Sequence, residues 1–234
     1  MTLADDLVSG VDDILEQAWD IRAGQVVPET EDVALAGGGV RLEATVLYSD
    51  LADSTELAWH HDHRKAAKVM KAFLYCASKL VGAHGGKIVS FDGDRVMAVY
   101  VGRTKNTSAA KTALKINYAV AKLIRPRVEA QYPSLAEAGF VLNHATGIDT
   151  GKILAVRAGM RGSNDLVWIG RAPGIAAKLS DIRDSDKSLI TRDVYSSLHK
   201  SAKEGGSPLR EMWTERKAKH RGLTVYGSTW TWKP

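Results

Sequence analysis

Two aspartates stand where divalent cations could be held. Asp50 closes the run 43–50 (EATVLYSD), which reads as a buried strand ending in a carboxylate. Asp94 lies in the tight turn Asp92-Gly93-Asp94-Arg95, between the apolar runs 87–91 and 96–101, a hairpin by its turn chemistry. If that hairpin lies beside the first strand, the two carboxylates converge and repel. Bound Mg²⁺ or Mn²⁺ removes that cost, because hard cations take oxygen ligands. Two such ions can activate a hydroxyl and stabilise the leaving oxygens of a phosphoryl transfer. Asp53 and Glu56 have capping-box spacing, which predicts a helix start close to Asp50. The free N–H groups of residues 52–55, with Ser54 and Thr55 among them, could cradle phosphates there. Aspartate is also enriched at caps and turns, so spacing alone leaves a purely structural reading open.

The surrounding pattern says what must position these groups. Leu3, Leu7, Val11, Ile14, Leu15 and Ala18 recur at helical steps, and residues 25–40, with Pro28 and three consecutive glycines, read as a linker. Residues 1–40 are therefore expected to be an amphipathic helix and linker, and residues 41–234 one domain. Within that domain a long helix is expected over 53–81 and a second over 107–129. Strands are expected at 140–148, 152–156, 165–169 and 187–190, a helix at 172–181, and a closing strand at 223–232. The order β-α-β-β-α-β is the ferredoxin-like, split βαβ arrangement, an α+β fold with helices on one face of a mainly antiparallel sheet.

Composition narrows the class without choosing a function. The 234 residues carry a mild formal charge of +5, with bases spread along the chain apart from the run 210–221. That run lacks interleaved aromatics beyond Trp213, so no nucleic-acid partner is expected. The single cysteine, Cys76, excludes an internal disulfide and reads as a small core residue. The acidic start and the lack of a long apolar run predict a cytoplasmic protein with no membrane segment. Of the histidines at 60, 61 and 63, only His60 and His63 have metal-pair spacing, and surface positions are expected for them.

Four stretches, taken in order, resemble the class III nucleotidyl cyclases. VLYSDLADSTELA resembles their first metal motif, and FDGDRVMAVY resembles the second. HATGIDTGKILA looks like their glycine-rich hairpin, and VWIGRAPGIAAKL looks like the strand and helix that carry transition-state residues. The resemblance implies Asp50, Asp94 and the Leu51 carbonyl as ligands of two Mn²⁺ or Mg²⁺ ions. It implies catalytic roles for Arg171 and Lys178, and a head-to-tail homodimer with active sites between the chains. The reaction implied is attack of the ribose 3′-hydroxyl on the α-phosphate, releasing pyrophosphate.

The departures from that pattern concern the base. Ser90 and Val167 stand where adenylate cyclases place a lysine donor and an acidic or hydroxyl acceptor. Gly174 and Lys178 replace the family's asparagine and arginine; lysine keeps the charge without the planar fork. Such small cyclases resemble the pyrimidine cyclases of bacterial Pycsar antiphage systems, which make cyclic UMP or cyclic CMP as an alarm signal. Tyr48, on the strand face of Asp50, and Arg95, next to Asp94, are then candidate contacts to a smaller base or to phosphate. UTP is the expected substrate, with CTP second. An adenylate or guanylate cyclase and a non-catalytic nucleotide-binding module are the alternatives.

Overall fold

The computed structural model describes residues 2–216 and 220–234, so residues 217–219 of the basic run lie outside the described residues. The chain runs through α1 (Leu3–Glu16), β1 (Asp20–Ala23), β2 (Gly38–Ala52), α2 (Ser54–His60) and α3 (His63–Ala83). It continues through β3 (Lys87–Asp92), β4 (Arg95–Tyr100), α4 (Lys105–Tyr118), a π-helical turn (Ala119–Ile124), α5 (Arg125–Gln131) and α6 (Pro133–Glu137). Then come β5 (Asn143–Met160), β6 (Ser163–Ile169), α7 (Arg171–Ser180) and β7 (Ser188–Thr191). Two short helices, α8 (Arg192–Ser196) and α9 (Lys200–Lys203), precede β8 (Glu204–Gly205), β9 (Arg210–Glu211), β10 (Thr214–Glu215) and β11 (Val225–Ser228).

The expected β-α-β-β-α-β unit is β2-α3-β3-β4-α4-β5. Its sheet has the order β10-β11-β7-β5-β2-β4-β3, with β1 joined to β2 and β6 to β5. Pairing is antiparallel except for β1 with β2 and β5 with β7. β2 is central and buried on both faces, which is why it reads as a nearly unbroken apolar run. Leu47 and Leu51 face α3 and α4, against Phe73, Leu114 and Ile116. Val40, Leu42, Ala44 and Val46 face the other way, toward Ala172 and Ala176 of α7. Each fully buried Val, Leu, Ile or Phe among these is worth about 1.5–3 kcal/mol. Helices therefore cover both faces, α3 and α4 on one and α7 on the other. Gly147 permits the second contact, because a Cβ there would meet the Ala176 carbonyl oxygen at 2.1 Å.

Several expected boundaries are corrected. The helix expected over 53–81 is two helices, broken at His61 and Asp62. The cap is not the Asp53–Glu56 box: Asp53 takes a left-handed conformation (φ 59°) with no capping bond. Asp62 instead accepts from the amides of Arg64 (2.9 Å) and Lys65 (3.2 Å) to start α3. The helix over 107–129 widens into the π turn just before Pro126, which lacks an N–H and cannot continue a regular ladder. The strands at 140–148 and 152–156 are one strand, β5. The closing strand stops at Ser228, and Trp230 and Trp232 pack on the core beyond it. Within residues 1–40, β1 pairs with the start of β2, while the apolar stripe of α1 is exposed in this chain.

Candidate active site

The register of the central strands delivers the first aspartate. Ser49 pairs with Val96, so Asp50 comes next along β2 where the β3–β4 hairpin turns. Gly93 makes that turn with φ 60°, a conformation glycine adopts without cost. Asp50 is 6% exposed, on the strand face that carries Tyr48 and α7. Asp94 sits across from it in the turn, and the two charges are felt: burial pushes the Asp94 carboxyl up, and Asp50 pushes it further, while the Ser54 hydroxyl opposes.

Asp94 Oδ2 is buried and accepts no hydrogen bond among the described residues. An orphaned carboxylate oxygen next to a second buried carboxylate is a costly arrangement that a cation would relieve. No cluster of three or more His, Cys, Asp or Glu side chains suited to a metal occurs among the described residues. A cation here would rely on Asp50, Asp94 and the Leu51 carbonyl, completed by water and substrate. That donor set suits Mg²⁺ or Mn²⁺, which bind through one or two carboxylates plus phosphate oxygens.

Two guanidinium groups meet at Asp50. Its Oδ2 accepts from Arg95 at 3.2 Å and from Arg183 at 2.5 Å. Arg95 also donates to Asp181 at 2.5 Å, and Arg183 to the Ser180 carbonyl at the end of α7, also 2.5 Å. Arg95 was expected near the site and is there, engaged by carboxylates. Arg183 and Asp181 belong to no expected motif; their only sequence signal is the charge-rich run DIRDSDK after α7.

Beside Asp94 lies a cavity of about 400 Å³ lined by Ser54, Thr55, Ala58, Trp59, Met70 and Gly93. Ser54 and Thr55 thus fall next to the Asp94 carboxylate. Trp59, 77% exposed at this rim, was not anticipated.

The remaining expected residues divide by distance. Ser90 pairs with Met97, Met97 with Tyr48 and Tyr48 with Gly147, so Ser90, Tyr48 and α7 share one row across the sheet. Tyr48 is half-buried, and burial pushes its hydroxyl up while the Arg95 charge opposes, so it stays protonated at neutral pH. Val167 pairs with Val156, itself opposite Gly39, at the far end of β2. Asp50 lies eleven steps along the strand from Gly39, roughly 36 Å. One chain therefore does not bring Val167 to Asp50. Arg171 is held by the fully buried Asp149 (3.1 and 3.2 Å), the Thr150 carbonyl (3.2 Å) and Asp193 (2.5 Å). Lys178 is exposed on α7 and close enough to His220 to help depress that imidazole, after burial and Arg221.

Comparison with known proteins adds four findings. Residues 41–220 match the family described as the adenylate and guanylate cyclase catalytic domain. The chain is 42% identical to the uridylate cyclase of Rhodovulum sp. (strain MB263), over 100% of this chain and 99% of that one. It is 41% identical to the uridylate cyclase of Burkholderia cepacia, over 99% of each. Among solved structures, a bacterial light-regulated adenylyl cyclase superposes with a TM-score of 0.70 at 20% identity. That match covers 85% of this chain and 54% of the other, and it concerns the fold alone.

Proposed function

Because the chain belongs to the family of adenylate and guanylate cyclase catalytic domains, we propose that it cyclises a pyrimidine nucleoside triphosphate, with UTP preferred and CTP second. The carrying observation is the orphaned Asp94 oxygen beside buried Asp50. Asp50, Asp94 and the Leu51 carbonyl would hold two Mn²⁺ or Mg²⁺ ions. When bound, these supply a lowered 3′-hydroxyl pKa and charge neutralisation at the phosphates. The 3′-oxygen bonds the α-phosphorus, the bond to the bridging oxygen of the β-phosphate breaks, and the hydroxyl proton passes to solvent. The products are the 3′,5′-cyclic nucleotide and pyrophosphate. Ser54 and Thr55 line the space beside Asp94 where phosphate oxygens would lie.

Base choice is read from what faces the row above Asp50. Tyr48 offers one hydroxyl, and Ser90 offers a short one where a purine reader would need a long donor. A closed site that leaves adenine's polar edge unpaired rejects it strongly. Arg95 can contact a base or phosphate only after loosening its carboxylate partners. The separation of Val167 from Asp50 supports a head-to-tail homodimer in which Val167 and Lys178 of one copy face the aspartates of the other. The cyclic nucleotide would act as an antiphage signal for a separate effector.

The test is incubation of the purified protein with Mn²⁺ and each of the four nucleoside triphosphates, with products identified by mass spectrometry. Cyclic UMP is expected to dominate. Efficient cyclic AMP or cyclic GMP formation refutes the pyrimidine assignment, and no product from any of the four favours a nucleotide-binding module.

A further inference from the structure

Asp50 already has its positive charge. Two guanidinium groups share its Oδ2, from Arg183 at 2.5 Å and Arg95 at 3.2 Å, while the Asp50 side chain is only 9% exposed. A divalent cation taking that oxygen while both remain would gather four positive charges on one carboxylate held away from water, an arrangement far from electroneutral. At least one arginine must leave.

The contacts say which. Arg95 has a second carboxylate, Asp181 at 2.5 Å, to hold it in place. Among the described residues, Arg183 has the neutral Ser180 carbonyl as its one partner besides Asp50. Its side chain is 35% exposed, on the segment between α7 and β7, so it has a route outward. A displaced guanidinium needs a new anion. The anion that arrives with the metal is the triphosphate, and the planar fork of arginine matches phosphate oxygens.

We infer that Arg183 is an exchange residue: it holds Asp50 when metal is absent, and transfers to the substrate's phosphates when metal and nucleotide bind together. This rests on the reading of Asp50 and Asp94 as metal ligands. It makes bare metal a weak ligand and couples metal binding to nucleotide binding, because each relieves the charge the other leaves unpaired. A cyclase built this way does not load metal into an empty site.

Mn²⁺ binding to the intact protein, followed by the electron paramagnetic resonance signal of free Mn²⁺, tests it with and without a non-cyclisable UTP analogue. In Arg183→Ala, bare Mn²⁺ is expected to bind about tenfold more tightly, while the analogue in saturating Mn²⁺ binds about tenfold more weakly. Arg183→Lys, which keeps a charge and disturbs packing less, should fall between. Asp94→Asn should lose Mn²⁺ binding in either case. If Asp94→Asn binds Mn²⁺ like wild type, the metal reading fails and the inference with it. If Asp94→Asn loses Mn²⁺ while both Arg183 variants match wild type in either measurement, the exchange role alone is overturned.

Discussion

His144 gives the sharpest quantitative prediction, because it lies buried on β5 opposite Leu51 of β2. It is 2% exposed, faces the Phe73 ring at 6.3 Å between centroids, and neither ring nitrogen has a partner among the described residues. Burial pushes its pKa from 6.5 down to about 3, with the charges of Lys187, Arg125 and Arg183 adding. In the unfolded chain the imidazole takes a proton near its ordinary value; in the folded chain it waits until about 3. Between those values the unfolded state binds more protons, so stability is fully present above about pH 6.5 and falls with pH below it. At pH 5 the loss is about 1.5 units at 1.36 kcal/mol each, roughly 2 kcal/mol. His144→Leu removes the titrating group and both unpaired atoms. Urea unfolding at pH 7.5, 6 and 5 should show the variant at least as stable as wild type at pH 7.5. Its advantage should grow by about 2 kcal/mol at pH 5. Parallel pH curves for the two proteins would refute the reasoning, since they would mean that the imidazole is not held neutral by the fold.

Three further outcomes follow from packing and charge. Gly147→Ala places a Cβ 2.1 Å from the Ala176 carbonyl, so α7 must lift from the sheet; a loss of about 1–3 kcal/mol is expected in thermal unfolding, together with lower cyclase turnover. Arg171→Gln leaves the fully buried Asp149 with Thr191 and no full charge partner, and should cost about 1–3 kcal/mol in urea unfolding, toward the low end because the guanidinium is half-exposed. Mixing an Asp50→Ala chain with a Lys178→Ala chain should restore part of the activity that each lacks alone, because one composite site of a head-to-tail dimer carries neither lesion; mixed dimers without activity would rule out the shared site.

What the sequence shows, and what it hides, follows from the range of each signal. The strand at Asp50 and the turn at Asp94 are legible because both are local: an apolar run ending in a carboxylate, and a Gly-containing turn between two apolar strands. The break at Asp62 is also local but competes with the Asp53–Glu56 spacing. That spacing fits a capping box as well as the sequence His61-Asp62-His63 fits a new start, and only the strained φ of Asp53 shows which cap forms. The π turn before Pro126 needs the packing of α4 and α5 on the sheet, which periodicity does not encode. α7 covering the second face of β2 requires a glycine at 147, whose missing side chain matters only once the helix is known to cross it.

Arg183 marks the limit more clearly. It lies 133 positions from Asp50, on a segment whose sequence reads as a solvated charged loop. A motif search finds Asp50 because an apolar run ending in a carboxylate is a local pattern whatever surrounds it. It cannot find the group that pairs with Asp50, because any cation on any neighbouring segment would do. The register of β2 against β5 and the path of α7 decide that the cation is Arg183. A strand-end carboxylate is therefore legible from its own strand, whereas its counter-charge is set by the tertiary path of the chain.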